Sequence, residues 1–267
     1  MSESVIGIDI GGTGIKAAAV DVQKGQLASD RVRLLTPDPA TPEAVVATAA
    51  ETIATLPGDG PVGVGLPAAI VDGQVMTAAN LAKEWVGVGV RDAFSNALGR
   101  PVVVLNDADA AGLAEMRFGA GQGESGVVMV LTLGTGIGSA LFIDGELVPN
   151  TELGHIEMRG KDAEERAAAS VRDRKGLSWK RWSRRLNEYL EMIDRLFWPD
   201  LIILGGGISK KPDKFMPFVE VRPRVVPAQL ANQAGIVGAA LRAAETAPRA
   251  ALARKKAARR APARSRR

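Results

Sequence analysis

Val102-Val103-Val104-Leu105-Asn106-Asp107, continued by Ala108 to Phe118, decides how the chain is read. The apolar, mostly β-branched run makes a buried strand. It ends in Asn106 and Asp107, polar side chains that a buried strand excludes. Ala108-Asp109-Ala110-Ala111-Gly112-Leu113-Ala114-Glu115-Met116 then reads as a helix. A carboxylate at the C-terminal end of a strand, where a helix begins, stands where open α/β sheets place their chemistry. An Asp at that position also makes a good helix cap. The rest of the chain decides between these roles.

Upstream, Val5-Ile6-Gly7-Ile8-Asp9-Ile10 is a strand, Gly11-Gly12-Thr13-Gly14 a turn, and Ile15 to Val20 a second strand. A third runs around Gln26 to Leu35, completing a β-meander. No GxxxxGK[ST] pattern occurs, so a nucleotide P-loop is excluded on both sequence and context. Thr41-Pro42-Glu43 opens a helix with a capping hydroxyl, proline at the first position and an acid in the first turn. Val62 to Leu66 is a buried strand, and Asp72-Gly73 turns a short hairpin. Asn80 to Trp85 is a loop, and Val90 to Leu98 a short helix stopped by Gly99.

Downstream, Val127 to Leu133 is a strand entering Gly134-Thr135-Gly136-Ile137-Gly138, and Asp144-Gly145 turns a second hairpin. Gly11–Gly14 and Gly134–Gly138 are thus glycine turns of one kind, half the chain apart. They suggest an internal duplication with two sheets facing across a cleft. A charged helix spans Ala163 to Arg174. Ser178 caps a long helix whose Trp179, Trp182, Leu186, Leu190, Ile193 and Phe197 recur at core spacing. Leu201 to Leu204 is a strand entering Gly205-Gly206-Gly207, and Ala234 to Ala244 is a final apolar helix.

At 267 residues the chain is long enough for two domains. It has no cysteine, which excludes disulfides, thiolate nucleophiles and sulfur-ligated zinc. Nine of the 34 basic side chains lie in residues 249–267, with no acid among them. Residues 1–248 therefore hold 25 basic against 30 acidic side chains, a net of −5. The body is mildly acidic and the basic tail, at 248–267, is expected to be disordered. No secretory signal is legible at the start. The uncharged run Ser125 to Ile143 is broken by glycines and threonines and reads as strand, turn, strand, not as a membrane span.

Backbone N–H groups converging at glycine turns hold phosphate oxygens, because no side chain blocks close approach. Gly11, Gly12, Thr13 and Gly14 offer this, as do Gly134, Thr135 and Gly136, with Thr132 and Lys16 on the flanking strands. Asp9 either orients Mg²⁺ through water or hydrogen-bonds its turn. The chain's one histidine, His155, stands three residues after Glu152, and a lone His is more often structural than functional. Asn80, Asn106, Asp107, Glu152 and His155 together supply donors and acceptors for a hydroxyl-rich ligand.

Gly7-Ile8-Asp9-Ile10-Gly11-Gly12-Thr13, Leu105-Asn106-Asp107-Ala108, Leu133 to Gly138 and Glu152-Leu153-Gly154-His155 occur in the order seen in the ROK family of sugar kinases, which the chain resembles. Leu177 to Trp182, Leu204 to Lys211 and Val226 to Leu230 resemble the polyphosphate-using branch of that family. The resemblance implies an α/β, two-domain actin-like ATPase (ribonuclease-H-like) fold with an interdomain cleft. Its small N-terminal domain would span 1–107, completed by a helix near 234–246, and its larger C-terminal domain 108–233.

By the same resemblance, Asp107 is the base for the sugar 6-hydroxyl, and Asn80, Asn106, Glu152 and His155 contact the sugar. Glu157, Glu164 and Glu165 compete for one further sugar contact. The two glycine turns hold the donor phosphates, and Gly205, Gly206 and Gly207 lie near adenosine in ATP-using relatives. The implied reaction moves a terminal phosphoryl group from inorganic polyphosphate, or ATP, to the 6-hydroxyl of glucose with Mg²⁺. The zinc site of many relatives needs three cysteines and cannot form here. A basic track for polyphosphate would draw on Lys16, Arg172, Arg174, Lys175, Lys180, Arg181, Arg184, Arg185, Lys210 and Lys211. The implied setting is a cytoplasmic homodimer without membrane partner, touching nucleic acid only nonspecifically through the tail. Two alternatives are a strictly ATP-dependent glucokinase or glucomannokinase, and a non-catalytic sugar-sensing regulator. The second carries an N-terminal winged helix, where four residues precede the first strand here.

Overall fold

The computed structural model describes residues 4–78 and 81–246. In chain order they form β1 (Val5–Gly11), β2 (Gly14–Asp21), β3 (Gln26–Leu27), β4 (Val32–Leu34), α1 (Pro42–Ile53), β5 (Val62–Leu66), β6 (Ile70–Val71), β7 (Gln74–Val75), α2 (Val90–Leu98), β8 (Val102–Asn106) and α3 (Asp107–Phe118). There follow β9 (Val127–Leu133), β10 (Ile137–Ile143), β11 (Glu146–Val148), α4 (Glu164–Ala167), α5 (Ala169–Arg174), α6 (Trp179–Phe197), β12 (Leu201–Gly205), β13 (Arg224–Pro227) and α7 (234–246). No helix among the described residues is long and apolar enough to cross a membrane.

The duplication expected from the glycine turns is written into the topology. The first sheet runs β3-β2-β1-β5-β8 and the second β11-β10-β9-β12-β13. In each, an antiparallel hairpin, β1–β2 or β9–β10, is followed by two parallel strands. Both glycine turns are the tips of those hairpins. The central strands are apolar on both faces, as strands covered by helices on each side must be. Met129, Leu131 and Leu133 pack with Trp182, Leu186 and Leu190 of α6, while Val128 and Val130 pack with Leu113 and Met116 of α3. In the first sheet Ile6, Ile8 and Ile10 pack against α1 and α2, and Val5, Ala18 and Val20 against α7.

Helix α3 lies between the sheets, and its small residues let it. A Cβ on Gly112 would stand 2.8 Å from Ala140 Cβ, and one on Gly238 of α7 only 1.7 Å from the Ala110 carbonyl oxygen. The stretch Ala108 to Ala114 is therefore fitted to close approach from two directions, and its N-terminus, with Asp107, opens between the two glycine hairpins.

Three local expectations are corrected. The strand around Gln26 to Leu35 is two short ones, because the Ser29 hydroxyl oxygen accepts from the Ala19 N–H (3.0 Å) where a ladder carbonyl would stand. The helix across Ala163 to Arg174 breaks at Ala168, which is extended (φ −56°, ψ 152°). There the Ala167 and Ala168 carbonyls accept from Trp182 Nε1 at 3.1 and 3.2 Å, and Ala168 O also accepts from the Val171 N–H that opens α5. The stretch before α2 is not plain loop: Lys83–Trp85 is a 3₁₀ turn that buries Trp85, whose Nε1 donates to Ala40 O. The basic tail lies outside the described residues.

Candidate active site

Asn106, not Asp107, caps α3. Its side-chain oxygen accepts from the N–H groups of Ala108 (2.8 Å) and Asp109 (3.1 Å). Asp107 Oδ1 accepts from the Ala108 N–H as well, at 2.8 Å. With the cap assigned to its neighbour, the Asp107 carboxylate remains in a cleft of about 500 Å³ between the sheets. Burial, then the nearby charges of Asp9 and Glu152, raise its pKa from 3.8 to about 7.

One wall of the cleft carries Asn106, Glu152, His155 and Glu164. Asn106 Nδ2 donates to Ala68 O at 3.3 Å and reaches Glu152 Oε1 at 3.5 Å. Glu152 Oε2 lies 3.9 Å from His155 Nε2, and His155 Nδ1 stands 2.8 Å from Asp162 Oδ2. Burial pulls the His155 pKa down, but the Asp162 hydrogen bond and the charges of Glu164, Asp162 and Glu152 outweigh it, and the net shift is upward. Burial raises the Glu152 pKa, against the opposing pull of His155. The tight turn read at Glu152 to His155 thus does present a carboxylate and an imidazole together.

Of the three glutamates left open, Glu164 alone lines the cleft, and its Oε2 accepts from the Ile137 N–H at 3.1 Å. Glu157 is exposed, and Glu165 is exposed and faces Lys161. Asn80 lies outside the described residues.

The cleft is also lined by Asp9, Gly11, Gly12, Thr13 and Lys16 from the first hairpin and by Thr132, Gly134, Thr135 and Gly136 from the second. Gly205, Gly206 and Gly207, at the end of β12, line it too. The second tip is braced by Ser170, whose N–H donates to Gly134 O and whose hydroxyl donates to Thr135 O. Gly14 pairs with Gly11 behind the first tip and is not part of the lining. Lys16 Nζ donates to Asp9 Oδ2 at 2.8 Å, so those two residues meet each other across the hairpin.

The other proposed basic residues do not line the cleft. Arg172 lies over the Trp179 ring, 3.8 Å from its centre, and pairs with Asp173. Arg174, Lys175, Lys180, Arg181 and Arg184 are exposed, as are Lys210 and Lys211, and Arg185 is half-buried. Of the tryptophans of α6, buried Trp182 meets Phe215 edge-on and half-buried Trp179 stacks on it.

Sequence reasoning missed several partners. Asp162 reaches His155 because Arg159 (φ 54°) and Gly160 (φ 76°) turn the chain and bridge Glu157 to Asp162. Arg159-Gly160 was the only signal for it. Asp109 is buried and accepts from the Asn150 N–H, and Asn150 in turn bonds both the N–H and carbonyl of Ile70. Glu115 is also buried, holding the N–H groups of Gln229 and Leu230 beside the cleft. No short-range pattern marks these long-range bonds.

The model of the ROK family matches residues 5–170, more than half of the chain. A polyphosphate glucokinase of Mycobacterium tuberculosis (strain CDC 1551 / Oshkosh) is 52% identical over 236 residues, covering 88% of this chain and 89% of that one. Among solved structures, the inorganic polyphosphate/ATP-glucomannokinase of Arthrobacter sp. strain KM superposes with a TM-score of 0.88 at 51% identity, covering 91% of this chain and 99% of that one. A ROK family glucokinase from Streptomyces griseus, in complex with glucose and AMPPNP, has a TM-score of 0.76 at 27% identity, with coverage of 89% and 98%. The motifs, the duplicated topology and these matches agree, and this chain belongs to the ROK family.

Proposed function

We propose that the protein is a polyphosphate–glucose phosphotransferase: it moves the terminal phosphoryl group of inorganic polyphosphate to the 6-hydroxyl of glucose, with ATP as a second donor. The observation that carries this reading is Asp107, a carboxylate raised to about 7, lining one cleft with two glycine hairpins and with Asn106, Glu152 and His155. The mycobacterial and Arthrobacter relatives support the donor and the sugar.

Phosphoryl transfer asks for alignment and charge neutralisation more than for covalent help. Asp107 takes the proton of the primary hydroxyl as its oxygen bonds to the terminal phosphorus. The bond from that phosphorus to the bridging oxygen breaks, and the electron pair stays on the shortened polymer. A base with a pKa near 7 is matched to this task, being strong enough to accept the proton and about half ionised at neutral pH. Glu152, His155 and Asn106 orient the other hydroxyls, and Asp162 holds the imidazole. Glu164 is the further glutamate we assign to the sugar.

No group of three or more His, Asp or Glu suited to hold a metal occurs among the described residues. Asp9 beside the first hairpin nevertheless fits Mg²⁺, which is held by one or two carboxylates together with substrate phosphates. Bound there, the ion would neutralise charge on the transferring group. The reading places the reaction in a cytoplasmic homodimer, carried over from the resemblance. Turnover of glucose to glucose 6-phosphate, followed with purified protein and Mg²⁺ on polyphosphate and on ATP separately, tests it. Turnover on polyphosphate supports it, and turnover on ATP alone overturns the donor assignment.

A further inference from the structure

The first glycine hairpin carries a cation that the proposed reaction leaves unused. Strand β4 pairs antiparallel with β2 and sets Arg33 directly opposite Lys16, and β2 sets Lys16 directly opposite Asp9. Directly opposed residues share a face of the sheet. Asp9, Lys16 and Arg33 therefore form one row, running from β1 inside the cleft to β4 outside it. Asp9 and Lys16 line the cleft, whereas Arg33 is exposed.

Arg33 is aimed at the hairpin. Its Nη2 donates to Thr13 O at 2.9 Å, and a Cβ on Gly14 would stand 2.7 Å from its Nε. The glycine thus leaves room for the guanidinium against the tip of the turn. Among the described residues no carboxylate lies within 4.0 Å of it. Guanidinium has five N–H donors in a fork that matches phosphate oxygens, and Thr13 takes only part of that capacity.

The two donors differ beyond the cleft. ATP ends in a nucleoside, but polyphosphate continues as a chain of anions that must leave over the protein surface. Lys210 and Lys211 offer another exit after the third glycine turn, yet neither lines the cleft nor is tied to a phosphate hairpin.

We infer that Arg33 is a donor-specificity residue: together with Lys16 it receives the outer phosphates of an inorganic polyphosphate chain whose end lies at the Gly11–Thr13 turn. The inference rests on the polyphosphate reaction proposed above.

The test measures kcat/KM for tripolyphosphate, long-chain polyphosphate and ATP in the parent protein, Arg33→Ala, Arg33→Lys and the double variant Lys210→Ala/Lys211→Ala. In Arg33→Ala the ratio of long to short polymer falls about two- to fivefold, the upper part of the range of an exposed charge contact. Arg33→Lys regains most of it, and added salt lowers the ratio in the parent toward that of Arg33→Ala. An equal fall on all three donors would mean that Arg33 only braces Thr13, and would overturn the inference. So would an unchanged ratio in Arg33→Ala, or a loss confined to the Lys210/Lys211 variant. If the parent itself uses ATP but no polymer, the donor assignment fails together with this inference. Polymer use with an unaltered Arg33→Ala ratio sinks this inference alone.

Discussion

Asp107→Asn separates the chemical work of the carboxylate from its structural cost. The amide has the same shape, its Oδ1 can still accept from the Ala108 N–H, and Asn106 keeps capping α3, so the helix is left intact. The unfolded chain titrates this carboxyl near 3.8 and the folded chain near 7. Its contribution to stability is thus complete below pH 3.8 and is lost as the pH rises through 7, a difference of roughly 4 kcal/mol. Removing the charge should return part of that, because the half-buried amide is still partly withdrawn from water. We expect the ligand-free variant at pH 8 to be more stable by about 1–3 kcal/mol, on the order of 5 °C in Tm. The gain should shrink steadily as the pH falls toward 4. Turnover should drop about 10²- to 10⁴-fold, the usual contribution of a general base. Scanning calorimetry at pH 5 and 8, with a coupled glucose 6-phosphate assay, reads both effects. A Tm unchanged or lowered at pH 8 would refute the electrostatics, and retention of most turnover would refute the base role.

His155→Ala should raise the KM for glucose more than it lowers kcat, and Asp162→Asn should do the same more weakly; steady-state kinetics with an unchanged KM would leave the imidazole purely structural. The pH profile of kcat/KM should rise through about pH 7, and Asp9→Asn should move that limb to lower pH, since the Asp9 charge helps raise Asp107. Gly238→Ala sets a Cβ 1.7 Å from the Ala110 carbonyl oxygen and should cost about 3 kcal/mol or more, read as lost Tm or lost soluble protein. Deleting residues 249–267 should leave activity on short polyphosphate intact, and its loss in the same assay would show that the tail takes part.

The strands, the two glycine hairpins and the capped helices α1 and α6 were legible because their signals are local. Alternation, a Thr-Pro-Glu start or a glycine stop is read within a few residues. Asp107 was legible for the same reason, as a polar end to a buried strand. The breaks in the 26–35 strand and the 163–174 helix were not, since each is made by a side chain or backbone far along the chain. Ser29 takes an N–H of β2, and Trp182 Nε1 donates to the two carbonyls at the Ala167–Ala168 break. Asp162, Asn150 and Glu115 stayed hidden likewise, because their value lies in bonds across 7, 80 and 114 residues. Charge was the least legible property. Most of the exposed arginines and lysines of α5 and α6 stand away from the cleft, whereas Arg33, unremarkable in sequence, sits on the first glycine hairpin.

A crystal structure of the protein with bound glucose is the most direct check on Asp107. The account predicts an Asp107 carboxylate oxygen about 2.6–3.2 Å from the 6-hydroxyl oxygen, with that hydroxyl turned toward the Gly11–Thr13 and Gly134–Gly136 tips. A sugar whose primary alcohol points away from Asp107, or lies beyond contact of it, would contradict the account.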